Sequence, residues 1–81
     1  MTSDNIDKIL DITGQTCPVP LINTRRILRT SQIDEIIKFV GTAKEDISRK
    51  EILIALDNMK QKILDSKVES NGNWFIIARK S

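Results

Sequence analysis

The 81-residue chain has no histidine, one cysteine and three glycines, and each scarcity excludes a class of function. Without histidine there is no Cys-His hydrolase, and without a second cysteine there is neither an internal disulfide nor a Cys-x-x-Cys redox pair. Histidine and cysteine are the usual ligands of zinc, and the carboxylates do not have the spacing of a calcium-binding loop, so the sequence gives no support for a metal site. The isolated glycines form no phosphate-binding loop, so we expect no cofactor.

The chain also has too few aromatic side chains, and too small a net charge, for a typical nucleic-acid-binding protein. The only aromatic residues are Phe39, Trp74 and Phe75, and the formal net charge is +2. No apolar run approaches the length of a membrane span or of a signal peptide. A lone thiol fits a reducing compartment, so we expect a cytoplasmic protein, monomeric in the simplest case, with neither a membrane nor a nucleic acid as partner.

The amino-acid composition is that of a chain able to fold. Hydrophobic residues make up 40% of it and charged residues 30%, which is the range of globular domains. At this length we expect one domain over residues 1–81, with residues 1–5 as a loose end. Alternating or continuous apolar runs predict strands at 6–13, 35–40, 64–70 and 74–79.

Helical spacing of apolar residues predicts two helices between these strands. The first covers residues 18–30. The second begins between Thr42 and Ser48, with Ser48 and Glu51 as its capping box, and carries apolar positions to Ile63. Strand 35–40 is predicted to be central and buried on both faces, and Asn71-Gly72 is predicted to turn the last two strands into a hairpin. The order β-α-β-α-β-β predicts an α/β (α+β) two-layer sandwich, with two helices on one face of a four-stranded mixed sheet.

Cys17 is the residue that chemistry singles out. It precedes Pro18 in Cys17-Pro18-Val19-Pro20, and proline is favoured at the first position of a helix. This places Cys17 at the predicted N-cap, where free backbone amides and the helix dipole favour a thiolate. A thiolate can accept a sulfane sulfur as a persulfide and pass it on.

The alternative is that Cys17 is merely a small buried hydrophobic residue, as free cysteines often are. Two features favour the functional interpretation. Serine, threonine, aspartate and asparagine are the usual N-cap residues, so cysteine is not the structural default there. The prolines on its C-terminal side also restrict how the side chain is presented.

The stretch from Leu10 to Leu21, Leu-Asp-Ile-Thr-Gly-Gln-Thr-Cys-Pro-Val-Pro-Leu, resembles the signature of the TusA/SirA-like sulfur-carrier family. That signature is a strand, a glycine (here Gly14) and Cys-Pro-x-Pro opening a helix. The resemblance implies a two-layer sandwich whose Cys17 carries a persulfide, with Gly14, Pro18 and Pro20 positioning the thiol. It also implies sulfur donors such as cysteine desulfurases or rhodaneses and acceptors such as DsrE-type sulfurtransferases.

The family resemblance further implies service in tRNA thiolation, cofactor sulfuration or sulfur oxidation, by a carrier without turnover of its own. Two departures bear on the choice of partner. Thr13 stands where many members have an arginine, and segment 42–51 lacks the family's Asp-Pro pair.

The predicted first helix also carries Arg25, Arg26 and Arg29, which we call the arginine face. It is either a docking surface for an acidic partner or the solvated side of an amphipathic helix. A rival hypothesis makes the protein a non-catalytic regulatory or interaction domain that contacts RNA through this face, with a structural Cys17. That hypothesis predicts salt-sensitive binding that survives loss of the thiol.

Overall fold

Four strands form one mixed sheet, with two helices packed against it. The computed structural model describes residues 6–15 and 19–81, so the predicted loose end at 1–5 lies outside the described residues. The elements in chain order are β1 Lys8–Asp11, α1 Val19–Thr30, β2 Ile36–Gly41, α2 Asp46–Asn58, β3 Lys62–Val68 and β4 Trp74–Arg79. The predicted fold class and element order are therefore confirmed.

The spatial order of the strands is β1-β2-β4-β3. Strands β1 and β2 are parallel and are connected through α1, whereas β4 runs antiparallel to both β2 and β3. Strand β2 is thus an interior strand, as its apolar sequence predicts. The parallel pair brings the carboxyl ends of β1 and β2 to the same end of the sheet.

The core lies between the helices and one face of the sheet. Fully buried side chains from each layer contact one another there, including Leu28 of α1, Leu56 of α2, Phe39 of β2 and Ile76 of β4. The prediction that β2 is buried on both faces was wrong. Alternate residues are buried and half-buried, because both helices cover the same face and leave the other open.

The start of α2 differs from the predicted capping box. Ser48 is buried in the first turn of α2, whereas the capping box is formed by Thr42 and Glu45 around a 3₁₀ turn, Ala43–Glu45, that leads into α2. Near the start of α2 the Ser/Thr-x-x-Glu pattern occurs at 42–45 and again at 48–51. The first is used because β2 ends at Gly41 and leaves the next amides in need of acceptors.

The end of α2 also corrects a prediction, because Ile63 lies in β3 rather than on the helix. The amide of Gln61 donates to the Leu56 carbonyl and the amide of Lys60 donates to the Asp57 carbonyl, which is a Schellman pattern. Lys60 takes the left-handed conformation with φ +59°. The helix therefore ends at Asn58, five residues before the apolar spacing does.

The terminal hairpin is confirmed, with a different turn. Strand β3 runs from residue 62 to 68 rather than 64 to 70, while β4 matches the predicted 74–79. Of the turn residues only Gly72 has a positive φ, +90°, and its amide donates to the Glu69 carbonyl. This is a type I turn followed by a left-handed glycine, a three-residue loop rather than a two-residue Asn-Gly turn.

Trp74 covers the edge of the core. Its side chain is 2% exposed, and its indole Nε1 donates to the Thr42 carbonyl over 2.9 Å. A Cβ on Gly41 would lie 2.5 Å from the ring, so only glycine fits opposite this tryptophan. Met59 is half-buried against the same core. Within residues 6–15 and 19–81, no helix combines the length and apolarity needed to cross a membrane.

Candidate functional site

The loop that follows β1 emerges at the carboxyl ends of β1 and β2. Two hydrogen bonds between near neighbours in sequence hold the start of this loop. The Thr13 amide donates to Asp11 Oδ1 over 2.9 Å, and the Gln15 amide donates to the Ile12 carbonyl over 3.0 Å. Hydrogen bonds from the Thr13 hydroxyl and amide lower the pKa of the Asp11 carboxyl. Gly14 has φ +82°, which a glycine adopts without strain.

The predicted nucleophile and its neighbour, Cys17 and Pro18, lie outside the described residues. The structure therefore does not test the predicted N-cap position of Cys17. Helix α1 is described from Val19, and Pro20, the other proline of the pattern, is buried. Just before the gap, Gln15 Oε1 accepts a 3.1 Å hydrogen bond from Asn23 Nδ2 of α1, which ties the loop to the helix.

Glu45 joins this loop to the turn that precedes α2. Its side chain is 5% exposed, and its two oxygens have different partners. Oε1 accepts from the Thr42 amide over 2.8 Å and from the Thr42 hydroxyl over 2.7 Å. Oε2 accepts from the Gly14 amide over 3.3 Å. One buried carboxylate thus connects two segments that are 31 residues apart in sequence.

These donors keep Glu45 ionised. The Thr42 hydroxyl is the main cause that lowers the pKa of Glu45, and the Thr42 and Gly14 amides and the charge of Lys44 act in the same direction. Burial opposes them by disfavouring the charged form, but the net shift is downward. At neutral pH the group is therefore a carboxylate that accepts from the Thr42 amide, the Thr42 hydroxyl and the Gly14 amide.

A cleft of about 400 Å³ opens beside Gly14 and Glu45. The turn of the β3–β4 hairpin forms its other wall and packs closely on the 3₁₀ turn, since a Cβ on Gly72 would lie 2.6 Å from the Ala43 Cβ. Its lining also includes Thr13, Thr42, Lys44, Asn71 and Asn73. The cleft thus lies next to the loop that leads to Cys17.

The arginine face is exposed along α1. No acidic residue occurs in α1, and within the described part of the chain none of the three arginines forms a salt bridge. Arg25 also lines a groove of about 200 Å³ between α1 and α2, together with Glu51 and Ile54. Exposure alone fits both a docking surface and a solvated helix side, so the two predicted alternatives stand.

Sequence patterns did not single out Glu45, Thr42 or Asn23 as residues of this region. The Thr-x-x-Glu spacing at 42–45 was the available signal for a cap. Nothing in the spacing indicates that the second oxygen of Glu45 reaches Gly14, because that contact depends on the parallel pairing of β1 and β2.

Comparisons with known proteins agree with this architecture. The sequence model of a family described as sulfurtransferase TusA matches residues 8–80. The crystal structure of a SirA-like protein from Desulfitobacterium hafniense superposes with a TM-score of 0.73 at 20% sequence identity, covering 89% of this chain and 95% of that one. At that identity the likeness shows a shared fold, and the family match shows the relationship.

Proposed function

Because this chain belongs to the TusA sulfurtransferase family, we propose that it carries sulfane sulfur as a persulfide on Cys17. The family match carries the proposal: it spans residues 8–80 and includes Cys17, the only cysteine in the sequence. Sulfur transfer of this kind requires a thiolate, and no other side chain of the chain can supply one.

The proposed transfer is an exchange without net oxidation. The Cys17 thiolate attacks the outer sulfur of a donor persulfide, so that a new S–S bond forms on Cys17 while the donor's S–S bond breaks and releases the donor thiolate. An acceptor thiolate then attacks the outer sulfur on Cys17 in the same way. Neither step calls for a metal or a cofactor.

We propose a cysteine desulfurase or a rhodanese as the class of donor and a DsrE-type sulfurtransferase as the class of acceptor. The relay would end in tRNA thiolation, cofactor sulfuration or sulfur oxidation. The cytoplasm is the proposed location, since a reducing compartment keeps a single thiol free of adventitious disulfides.

The arginine face is proposed to guide docking of an acidic partner surface. It carries three positive charges on a helix without acidic residues, and that helix begins two residues after Cys17. Complementary charge of this kind raises the rate of encounter more than the affinity. Gly14, Pro18 and Pro20 are proposed to position the thiol.

The first test of the proposal is intact-mass spectrometry after incubation with polysulfide, with and without a reductant. We expect a gain of one sulfur atom that maps to Cys17 and is reversed by the reductant. Cys17→Ser should fold normally and gain none. A well-folded Cys17→Ser that still gained the atom would contradict the proposal, as would a wild-type protein that gained none.

A second test concerns docking. Changing the arginine face to glutamines should slow transfer from a loaded cysteine desulfurase and weaken its salt dependence. The matched control removes three positive charges elsewhere, at Lys60, Lys62 and Lys67 on β3 and the turn before it. Equal slowing by both sets would show that net charge, rather than this helix, matters. RNA binding that survives Cys17→Ser would favour the interaction-domain hypothesis instead.

A further inference from the structure

The buried carboxylate of Glu45 does more than a capping box requires. A cap at Thr42 uses one acceptor for the first free donors of the turn, and Oε1 meets that need through the Thr42 amide and hydroxyl. Oε2 is directed instead to the Gly14 amide, in a loop that belongs to another part of the chain. This second contact is the one that capping leaves unexplained.

Gly14 lies three residues before Cys17, so whatever holds Gly14 restricts the start of the Cys17 segment. The described residues are fastened on both sides of residues 16–18. Before them, Gly14 is bonded to Glu45 and Gln15 is bonded to Asn23; after them, α1 begins at Val19 with Pro20 buried. The loop is thereby tied both to α1 and to the turn before α2.

We propose that Glu45 is a positioning residue for sulfur transfer: its carboxylate holds the Gly14 amide and so fixes the stretch of chain that leads into Cys17. The inference rests on the function proposed above. Glu45 touches neither donor nor acceptor in this account and acts only through the Gly14 loop. Its burial keeps water from competing for the contact, and loss of the contact would leave Gly14, three residues before the thiol in sequence, without this hydrogen bond.

The sharpest variant is Glu45→Gln, which keeps the shape of the side chain. The glutamine side chain has one acceptor oxygen and one NH₂ donor. The positions of both Glu45 oxygens, however, face N–H or O–H donors. One end must then place a donor against a donor. The matched control is Thr42→Ala, which removes the Thr42 hydroxyl from the cap but leaves the Thr42 amide and the Gly14 amide bonded to Glu45.

The measured quantity is the rate at which Cys17 takes up sulfur from a loaded cysteine desulfurase, where the thiol must meet a persulfide held in a docked partner, followed by mass spectrometry. We expect Glu45→Gln to load about tenfold more slowly than the wild type, since small displacements of a reacting group have effects of this order. Thr42→Ala should keep most of the wild-type rate, although it loses comparable stability. Equal rates for Glu45→Gln and the wild type would overturn the inference.

A spectroscopic readout on the wild-type protein tests the same contact without any variant. The amide resonance of Gly14 should shift with pH as Glu45 titrates, and the alkylation rate of Cys17, corrected for its thiolate fraction, should change over the same pH range. The inference would be overturned if the Gly14 amide resonance, or the corrected alkylation rate of Cys17, stayed constant over the pH range in which Glu45 titrates. These two measurements still decide it should Glu45→Gln fail to fold.

The two proposals fail in different ways. If the wild-type protein takes up no sulfur, the carrier function is wrong, while the Gly14 titration and the alkylation rate still report on positioning. If the wild type loads normally and both Glu45→Gln and Thr42→Ala match it, the carrier function stands and Glu45 is only a cap.

Discussion

The contact between the hairpin turn and the 3₁₀ turn offers a direct test of how the cleft beside Gly14 is built. Gly72 has φ +90°, and a Cβ built on it would lie 2.6 Å from the Ala43 Cβ. Gly72→Ala therefore introduces two separate penalties, a left-handed alanine and a steric overlap. The double variant Ala43→Gly/Gly72→Ala removes the overlap and keeps the backbone strain.

The backbone strain is the same in both backgrounds, whereas the steric overlap exists only when Ala43 is present. A left-handed alanine costs about 1–2 kcal/mol. Ordinary van der Waals contact begins at 3.4 Å, so the two methyl groups must separate by several tenths of an ångström; such overpacking costs about 1–3 kcal/mol. We expect Gly72→Ala to lower the unfolding free energy by about 2–5 kcal/mol in the wild type. In the Ala43→Gly background the nearest remaining atom, Cα at 3.5 Å, is in ordinary contact, and the expected cost is about 1–2 kcal/mol.

Urea unfolding followed by the fluorescence of Trp74, the only tryptophan, measures all four proteins. The result that supports this packing is a coupling of about 1–3 kcal/mol between the two positions. Additive effects, with Gly72→Ala costing the same in both backgrounds, would refute the close contact of the two turns. A neutral Gly72→Ala would refute both the contact and the left-handed conformation.

Three further predictions concern individual groups. The pKa of Glu45 is below its ordinary value of 4.5. Its stabilising contribution is therefore complete above pH 4.5 and is lost as the pH falls through the lower pKa of the folded state. When the unfolding free energy is measured against pH in the acid range, it should change less in Glu45→Gln than in the wild type. Lys60→Gly should raise the unfolding free energy, measured with urea, by about 1 kcal/mol, because φ +59° is unstrained in glycine. The control Lys62→Gly, in β3, should lower the unfolding free energy instead. Trp74→Phe removes the hydrogen bond to the Thr42 carbonyl and part of the core, and circular dichroism should show a loss of about 1–3 kcal/mol; an unchanged midpoint would contradict the burial of Trp74.

Much of the fold could be predicted because its signals are local. The periodicity around Pro20, Thr24 and Leu28 does produce a helix with those residues buried, and the apolar run before Gly41 does produce an interior strand. Predictions failed where two local patterns competed. Ile63 fits a helical spacing as well as it fits a strand, and the left-handed Lys60 decided between them.

The candidate site divides in the same way. Cys17 could be predicted as the site residue from its neighbours in sequence, because the proline that follows it and the glycine three residues before it lie within one short motif. Glu45 is not, since its significance lies in a contact with Gly14 that only chain pairing creates. The alternatives for the arginine face stayed open because an exposed charge looks the same in a docking surface and in a solvated one.

The sequence by itself determined the order of helices and strands, the exclusion of histidine-dependent chemistry and the presence of a single thiol, Cys17, on which the proposed sulfur transfer rests. These follow from residue identity and from spacings of a few residues. Only the tertiary structure decided which of two Thr/Ser-x-x-Glu patterns caps the turn before α2, where α2 stops, and that a carboxylate from one segment holds the loop of another. The physical reason is that the parallel pairing of β1 with β2 brings Gly14 and Glu45 together across 31 residues, a distance over which local propensities carry no information.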